Sequence, residues 1–509
     1  MKKINLFFGM LLCTAQCASA QNFDTLNINN ISAVFNPGGD LFYNVNTSGT
    51  FIQAPGNSIA YSLGNLWIGG YDSNGRLHVS ALTYRQTGAD FWPGPMDTTA
   101  AMCPQAASNA YNYVWKVGCA EVDSFVRNQT VPIPGYPVPP DIQTWPGNGD
   151  PTGGQGQFLA PFVDVDGDQY YNYQAGDYPS VRGEQALYYI YNDSLQYNPH
   201  GETQGISLGV QIEAMPFAYA YPWDEALMNT IFIHYTITNY RTFTYTGTRI
   251  GFWSGFDFYG SATGAGSDSL LGVAYHYNDD NAVGIYFLSE PMDGCISYEN
   301  NLSPTGNPQT PLGYFELMQH NWSSSDALTY GGTGINTGDT TNWMFTGNPA
   351  ANTGWLDPGV FSDRRQLSST DSFTLLPGMS KEFVVAISFA YDPAGNNASF
   401  TKLNQYVGHV RQFYAGNNGF CTPMLNSVNE QSSNAPAVYP NPAVDAITLT
   451  GTSANETYFI YNAQGQLVAT GKTQQGSTII AIDALSTGMY LIQTDGENQR
   501  SSSTFFKTE

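Results

Sequence analysis

Three aspartates alternate in the stretch DVDGDQYYNYQAGDYP, residues 164–179, and a fourth follows nine residues later. Hard cations such as calcium take six to eight oxygen ligands, several of them carboxylates. The alternating spacing lets one loop turn its side chains inward, and it places a backbone carbonyl at the seventh position. We therefore predict a structural calcium site with these ligands: the carboxylates of Asp164, Asp166, Asp168 and Asp177 and the carbonyl of Tyr170.

The spacing differs from that of an EF-hand loop. Asp177 falls two positions beyond the closing Glu of an EF-hand, and Gln169 stands at the sixth position, where that loop carries Gly. The alternative interpretation is a solvated acidic turn. A like-charge pair at ~4 Å costs ~1 kcal/mol even in water, so four carboxylates in one short loop favour a bound cation.

The segment GISLG, residues 205–209, matches the G-x-S-x-G pattern of serine hydrolases. A serine hydrolase needs a strand before this turn and a helix after it. The following VQIEAM has the pattern of a strand, so we interpret the match as accidental and Ser207 as a strand residue.

The six histidines show no metal-binding spacing. In IFIHYTITNY, alternation places His234 on the face opposite to Ile231 and Ile233, which predicts a surface or sheet-packing role. Asp224-Glu225 could supply a glycosidase carboxylate, but the sequence identifies no second acid to work with it.

Composition narrows the class of protein. The chain has 41 acidic and 17 basic residues and a formal charge of −24, which argues against binding to nucleic acid or to an anionic membrane surface. The 53 Gly, 34 Tyr and 29 Phe predict an all-β chain with many turns. No apolar run reaches the ~20 residues of a transmembrane helix, so we expect no transmembrane segment.

The N-terminus predicts export. Lys2 and Lys3 precede the apolar run LFFGMLLC, and Ala18-Ser19-Ala20 forms a cleavage site, so residues 1–20 are predicted to be a signal peptide cleaved near Ala20.

Four cysteines follow that site, which permits two disulfides in an exported chain. Cys103 and Cys119 are close in sequence and are the expected pair, and Cys295 with Cys421 follows by elimination. Buried free thiols are the alternative for the distant pair.

The chain divides by pattern into segments. We predict an N-terminal β-rich region at 21–130, a Pro-rich passage with the acidic loop at 131–184, and a large antiparallel β-sandwich region at 185–421. A linker at 422–437 and a separate tail at 438–509 follow.

Three local predictions lie within this body. YVWKVGCAEVDSFV, residues 113–126, predicts a short helix or a strand plus a helix, and the Pro-rich residues 131–154 predict no regular structure. Apolar residues at helical spacing from Phe400 to Tyr414 predict a helix capped by Ser399.

The tail has the period-two alternation of a small antiparallel sandwich in TYFIYN, QLVATG, STIIAID and MYLIQTD. It resembles the type A C-terminal sorting domain of type IX secretion cargo in Bacteroidota, through Tyr439-Pro440-Asn441-Pro442, IYNAQGQLV, LSTGMYLIQ and the final FFK. The resemblance implies an immunoglobulin-like sandwich and export to the outer-membrane surface or the extracellular space. It also implies contact with the type IX machinery and its sorting protease, and release or attachment to surface lipopolysaccharide.

The body resembles a group of large type IX cargo proteins without an assigned activity, through LWIGGYD, DFWPGPMD, LAPFVDVDGDQYY and GDYPSVRGEQ in that order. The expected function is a non-enzymatic adhesive, binding or structural module that binds glycans or neighbouring surface proteins. The alternative is an extracellular polysaccharide-active hydrolase, which requires two carboxylates converging in a groove.

Overall fold

The structure, a computed structural model, describes residues 23–43, 51–53, 57–83, 88–258, 263–358, 364–395, 397–416, 421, 438–462, 466–495 and 500–508. The predicted signal peptide and the predicted linker at 422–437 lie outside these residues. The chain forms two compact units, Met1–Pro423 and Met424–Glu509, which we call the body and the tail.

The strands of the body are β1 (Asp24–Leu26), β2 (Ile31–Phe35), β3 (Phe51–Gln53), β4 (Asn57–Tyr71), β5 (Leu77–Ser80), β6 (Trp92–Pro93), β7 (Trp115–Gly118), β8 (Phe162–Val163), β9 (Tyr178–Pro179), β10 (Gln185–Asn192), β11 (Val210–Ala218), β12 (Thr230–Asn239), β13 (Tyr245–Phe258), β14 (Gly264–Asp268), β15 (Val273–Tyr277), β16 (Asn281–Phe287), β17 (Met292–Glu299), β18 (Arg364–Thr370), β19 (Phe373–Leu375) and β20 (Ser380–Tyr391). Its helices are α1 (Gln105–Ala110), α2 (Cys119–Thr130), α3 (Pro140–Gln143), α4 (Glu225–Met228), α5 (Pro311–Met318) and α6 (Ala398–Gly416).

Two antiparallel sheets form the body. The first has the order β1-β2-β3-β4-β13-β18-β17, with β5 on β4 and β19 on β13. The second has the order β14-β15-β16-β20-β12-β11-β10-β6, with β7 on β10. The all-β prediction and the antiparallel sandwich are confirmed.

The main core lies between the two sheets and follows from alternation along the strands. In β12, Ile231, Ile233, Tyr235 and Ile237 are fully buried in this core. His234 faces the other side of the sheet, as the sequence predicted, because successive side chains of a strand point to opposite faces.

The outer faces of both sheets are also covered. Helices α2 and α6 pack on the second sheet, and α5 packs on the first against Trp67 and Trp253. The predicted helix near the end of the body is confirmed as α6, which buries Phe400, Leu403 and Val407. The predicted cap is wrong: Ser399 lies inside the helix, and its buried hydroxyl has no hydrogen-bond partner among the described residues.

Residues 113–126 form a strand plus a helix, β7 followed by α2, which is one of the two predicted forms. The Pro-rich passage is more ordered than predicted. Pro140 begins the short helix α3, because proline's fixed φ suits the first turn of a helix, where its missing N–H is not needed.

The predicted cysteine pairing is wrong. Cys119 forms a disulfide with Cys421, 302 residues away, with a Cα–Cα distance of 5.6 Å. Cys103 and Cys295 are both buried free thiols. Sequence proximity favoured Cys103 with Cys119, but Cys103 lies beside Leu195, whereas Cys421, five residues beyond the end of α6, lies at the start of α2.

The tail has the strands β21 (Val438–Tyr439), β22 (Ala446–Thr452), β23 (Thr457–Asn462), β24 (Leu467–Lys472), β25 (Gly476–Ala481), β26 (Gly488–Asp495) and β27 (Arg500–Lys507). They form two antiparallel sheets, β21-β22-β25 and β24-β23-β26-β27. Apolar side chains from both sheets, including Ile447, Ile460 and Phe505, make the core between them. The predicted small sandwich is confirmed.

Candidate functional site

The acidic loop is the turn of a small hairpin. Strands β8 and β9 pair antiparallel, with Phe162 opposite Pro179 and Val163 opposite Tyr178. Residues 164–177 therefore begin and end at adjacent points, and the loop between them is closed on itself.

Within this loop the four predicted aspartates converge. One carboxylate oxygen from each of Asp164, Asp166, Asp168 and Asp177 lies within 4.8 Å of the others. Tyr170 donates its amide to Asp168 Oδ1 at 2.7 Å. A role for its carbonyl as a ligand stays a prediction.

Backbone amides set the shape of the loop. Asp164 accepts from the amides of Gly167 and Gln169 at 2.7 and 2.9 Å, and Asp166 accepts from the amide of Asp168 at 3.2 Å. Gln169 has a φ of 68°, the left-handed conformation that favours Gly, at the position where an EF-hand loop carries Gly. The loop thus makes the sharp turn with Gln169 in place of Gly.

Asp177 anchors the end of the loop. Its side chain is fully buried, and its two carboxylate oxygens accept from the amides of Val165 and Asn172, both at 2.8 Å. A buried carboxylate that accepts two amide hydrogen bonds is held in one orientation.

The loop treats its carboxylates differently. The pKa of Asp164 is lowered, and the hydrogen bond from the Gln169 amide is the largest cause. At Asp166 the hydrogen bond from the Asp168 amide lowers the pKa, but burial and repulsion from three neighbouring aspartates outweigh it, and the pKa is raised. The centre of the loop therefore favours added positive charge, whether a proton or a cation.

A second polar site, which the sequence analysis missed, lies on the outer face of the second sheet. We call this cavity of about 240 Å³ the sheet-face cavity. Its floor carries Glu213, His234, Thr236 and Glu382, and its wall includes Leu159, Pro161 and Arg182. These wall residues lie just outside the β8–β9 hairpin.

Strand register brings the floor residues together. Glu213 on β11 pairs with Thr236 on β12, and Thr236 pairs with Glu382 on β20. The two glutamates are therefore separated by one strand, which places their Cα atoms about 10 Å apart. They are 169 residues apart in sequence, so no local motif could have revealed the pair.

The two glutamates have opposite pKa shifts. Burial raises the pKa of Glu213 to about 7, although hydrogen bonds from Gln211 and Tyr188 oppose this. Burial is the largest influence on Glu382 and acts to raise its pKa, but the hydrogen bond and charge of His234, together with Thr236 and Arg182, outweigh it and lower the pKa. A pair of acids with separated pKa values can divide the roles of donor and acceptor.

The other sequence candidates are structural. Asp224 Oδ2 contacts His409 Nε2 at 2.7 Å, and Glu225 pairs with Lys402 at 2.6 Å. Residues 205–209 form neither a helix nor a strand and lead directly into β11, so the prediction that Ser207 is a strand residue is wrong. The Ser207 hydroxyl accepts from Arg241 at 3.0 Å. The strand β11, rather than a helix, follows the G-x-S-x-G pattern, which agrees with the interpretation that the match is accidental.

Residues 437–508 match the family model described as a secretion system C-terminal sorting domain. The chain is a cargo protein of the type IX secretion system. Its sorting domain therefore directs it to the cell surface or the extracellular space.

Two of the sorting-domain motifs, at the first and last parts of the domain, contact each other. Asn441, in Tyr439-Pro440-Asn441-Pro442, donates to the Thr504 carbonyl at 3.2 Å and accepts from the Phe506 amide at 2.9 Å. The amide of Ala443 donates to the Phe506 carbonyl at 2.8 Å. The first motif thus binds the last strand, β27.

Further comparisons of the cargo protein give weak likenesses. No curated protein sequence matches the chain. Among solved structures, a polysaccharide lyase is 9% identical over 58% of this chain with a TM-score of 0.17, and the chain spans 34% of the lyase's length. A protein assigned as an aldose 1-epimerase from Escherichia coli K12 is 11% identical over 73% of this chain and 99% of its own, with a TM-score of 0.23.

PorZ, a surface component of the type IX secretion system of Porphyromonas gingivalis, is 10% identical over 91% of this chain and 61% of its own, with a TM-score of 0.14. These scores are too low to assign an activity to the body of the cargo protein. Across the part of the chain that the structure describes, no helix combines the length and the apolar character needed to cross a membrane.

Proposed function

We propose that the body of this cargo protein is a non-enzymatic adhesive or binding module that displays a glycan-binding surface outside the cell. The observation that carries the proposal is the exposed indole of Trp223. Its side chain is 83% exposed, and its ring stacks on that of Tyr221 with a centroid distance of 5.4 Å and an interplanar angle of 4°. The apolar face of a sugar ring can pack on such a flat aromatic surface, whose π face attracts the sugar's C–H groups.

The aromatic pair is supported from below. The ring of Tyr221 packs against the ring of Phe413 in α6, with 6.2 Å between centroids, and against the ring of Tyr219, with 5.5 Å between centroids. Tyr219 itself is buried. A ring held by packed neighbours loses little conformational entropy when it binds a ligand. The large exposed area of Trp223 therefore suits a binding role.

The export route adds steps that follow from the sorting domain. In this proposal the leader at 1–20 is removed near Ala20, and the sorting protease removes the tail. The body is then released or attached to surface lipopolysaccharide.

The acidic loop supplies a structural calcium site in this module. Asp164, Asp166, Asp168 and Asp177 would hold the ion, and Tyr170 would add its carbonyl. The charge of the ion would offset the repulsion at Asp166 and hold the hairpin closed. The oxygen-only donor set fits calcium better than a softer metal.

A glycan array tests the binding function. The full-length protein should bind at least one glycan class, and Trp223→Ala should reduce that binding at least tenfold. Tyr197→Ala, which removes a 91% exposed aromatic outside the Trp223 group, is the matched control and should bind like the wild type. Equal loss in both variants, or no binding at all, would refute the proposal.

The sheet-face cavity keeps a polysaccharide-active hydrolase as a second candidate, because Glu213 and Glu382 are two carboxylates with separated pKa values in one cavity. A hydrolase would release reducing ends from polysaccharides, and Glu382→Gln would abolish that release. The binding module should release none at any pH between 5 and 8.

A further inference from the structure

The lining of the sheet-face cavity indicates what it could bind. Beside Leu159 and Pro161, which give it an apolar wall, it carries carboxyl, imidazole, hydroxyl and guanidinium groups. Glu382 is half exposed and His234 is 19% exposed, so these groups are reachable from solvent. A site with one apolar wall and several convergent polar groups is typical of a small-ligand site.

Its size limits the occupant. Sites for drug-sized ligands usually have about 300–1,000 Å³, and this cavity has about 240 Å³. A single six-membered ring with its substituents matches such a space, whereas a peptide segment or a nucleotide needs more.

Its charges limit the occupant further. Glu382 is paired with His234 and also interacts with Arg182, so acidic and basic groups stand side by side there. An anionic ligand would meet two glutamates, and a cationic ligand would meet Arg182. The balance favours a neutral ligand.

The polar groups retain hydrogen-bonding capacity. Glu213 Oε1 accepts from Gln211 at 3.0 Å, and a carboxyl group has further capacity at its second oxygen. The Tyr188 hydroxyl interacts with Glu213 but makes no hydrogen bond of ordinary geometry among the described residues. Thr236 donates to Glu382 at 3.2 Å, which leaves the hydroxyl oxygen as an acceptor.

We propose that the sheet-face cavity binds one neutral sugar residue of a glycan, with Glu213 donating a hydrogen bond to it and Glu382 accepting one. This inference rests on the proposed glycan-binding function and names a second contact region for the same ligand class. Hydroxyl groups around a sugar ring can both accept and donate, which matches the two glutamates. The ring's C–H face would pack on Pro161 and Leu159.

The donating role of Glu213 makes binding depend on pH. The charged and titratable groups that face it are Glu382, His234, Arg182, Tyr188 and Tyr240. Because the pKa of Glu213 is about 7, the proton that it donates is present in most molecules at pH 6 and in few at pH 8. Affinity should fall about tenfold between these values, in proportion to the protonated fraction.

The test measures binding by the full-length protein of methyl glycosides of glucose, galactose, mannose and N-acetylglucosamine, by saturation-transfer NMR and calorimetry at pH 6 and pH 8. The wild type should bind at least one of them about tenfold more weakly at pH 8. Glu213→Gln, whose amide donates at every pH, should bind equally at both pH values. Glu213→Ala should lose at least tenfold at pH 6.

Two comparisons separate the possible failures. Glu299→Ala changes an exposed glutamate on β17 outside the cavity and should bind like the wild type. If a glycan binds on the array but Glu213→Ala binds the glycosides as tightly as the wild type, the cavity inference is wrong and the proposed function stands. If neither glycans nor glycosides bind, both are wrong. If the affinity of Glu213→Gln falls between pH 6 and pH 8 as much as that of the wild type, the inference is also wrong. The pH dependence would then come from a group that this variant keeps, such as His234.

Discussion

Cys421 and Cys119 form a disulfide that fixes a residue five positions beyond the end of α6 to the first residue of α2, 302 positions earlier. The Cys421 amide also donates to the Val181 carbonyl at 2.8 Å, directly beside Arg182 in the wall of the sheet-face cavity. The segment around Cys421 is thus tied to α2 by the disulfide and to the residues after the β8–β9 hairpin by the hydrogen bond.

The first prediction concerns this disulfide. Replacing Cys119 and Cys421 together with Ser should lower the free energy of unfolding by about 2–4 kcal/mol, because the unfolded chain loses a cross-link that closes a long loop. Urea denaturation measures the change. Non-reducing peptide mapping should join the two peptides, and Cys103 and Cys295 should react with a thiol reagent only after unfolding. Finding Cys103 joined to Cys119 would contradict the structure.

The second prediction concerns the acidic loop. Calcium should raise the melting temperature and a chelator should lower it, since a ligand of the folded form stabilises by RT ln(1 + [L]/Kd), about 2.7 kcal/mol at a hundredfold excess over Kd. Asp166→Ala should abolish the response to calcium. Asp279→Ala, in the exposed turn between β15 and β16, is the control and should keep it. A wild-type melting curve that ignores the chelator, with no calcium in elemental analysis, would show that the loop is a solvated turn.

The third prediction concerns export. Deleting residues 438–509 should leave a folded body in the periplasm, because the sorting domain is a unit with its own core. Immunoblots of periplasmic and extracellular fractions, with limited proteolysis to check folding, measure this. Normal secretion of the truncated protein would contradict the assignment of the tail.

The fourth prediction concerns pH and Glu213. Its pKa is raised from 4.5 to about 7 on folding, so between these values the folded protein holds a proton that the unfolded chain releases. The free energy of unfolding should therefore fall as pH rises from 4.5 to 7, by about 1–3 kcal/mol from this group. Glu213→Gln cannot titrate, so its stability curve from urea denaturation should be flatter across that window. If the free energy of unfolding of the wild type and of Glu213→Gln changes equally with pH, the raised pKa of Glu213 is refuted.

Patterns that depend on neighbouring residues were readable from the sequence. Alternation in IFIHYTITNY predicted which face of β12 enters the core, and helical spacing predicted α6. The spacing of the aspartates predicted that Asp164, Asp166, Asp168 and Asp177 would meet, because a short closed loop leaves them few other arrangements.

Contacts between distant residues were not readable. The pairing of Cys119 with Cys421 and the alignment of Glu213 with Glu382 both depend on the order of strands in a sheet, which alternation alone does not determine. His234 was placed on the correct face of its strand, but its ion pair with Glu382 became visible only when β20 was found beside β12.

The position of β20 between β12 and β16 also has a consequence for the order of events during synthesis. The eight other described strands of the second sheet are all made before β20, and the roughly 150 residues from the end of β12 to the end of β20 take about 8–30 s to emerge at ~5–20 residues per second. During that interval β12 and β16 each lack a neighbour on the side that β20 will occupy. Open strand edges pair readily with other chains. The newly synthesised body is therefore most prone to aggregation during this interval. A chaperone that binds extended polypeptide would have its greatest effect at that stage.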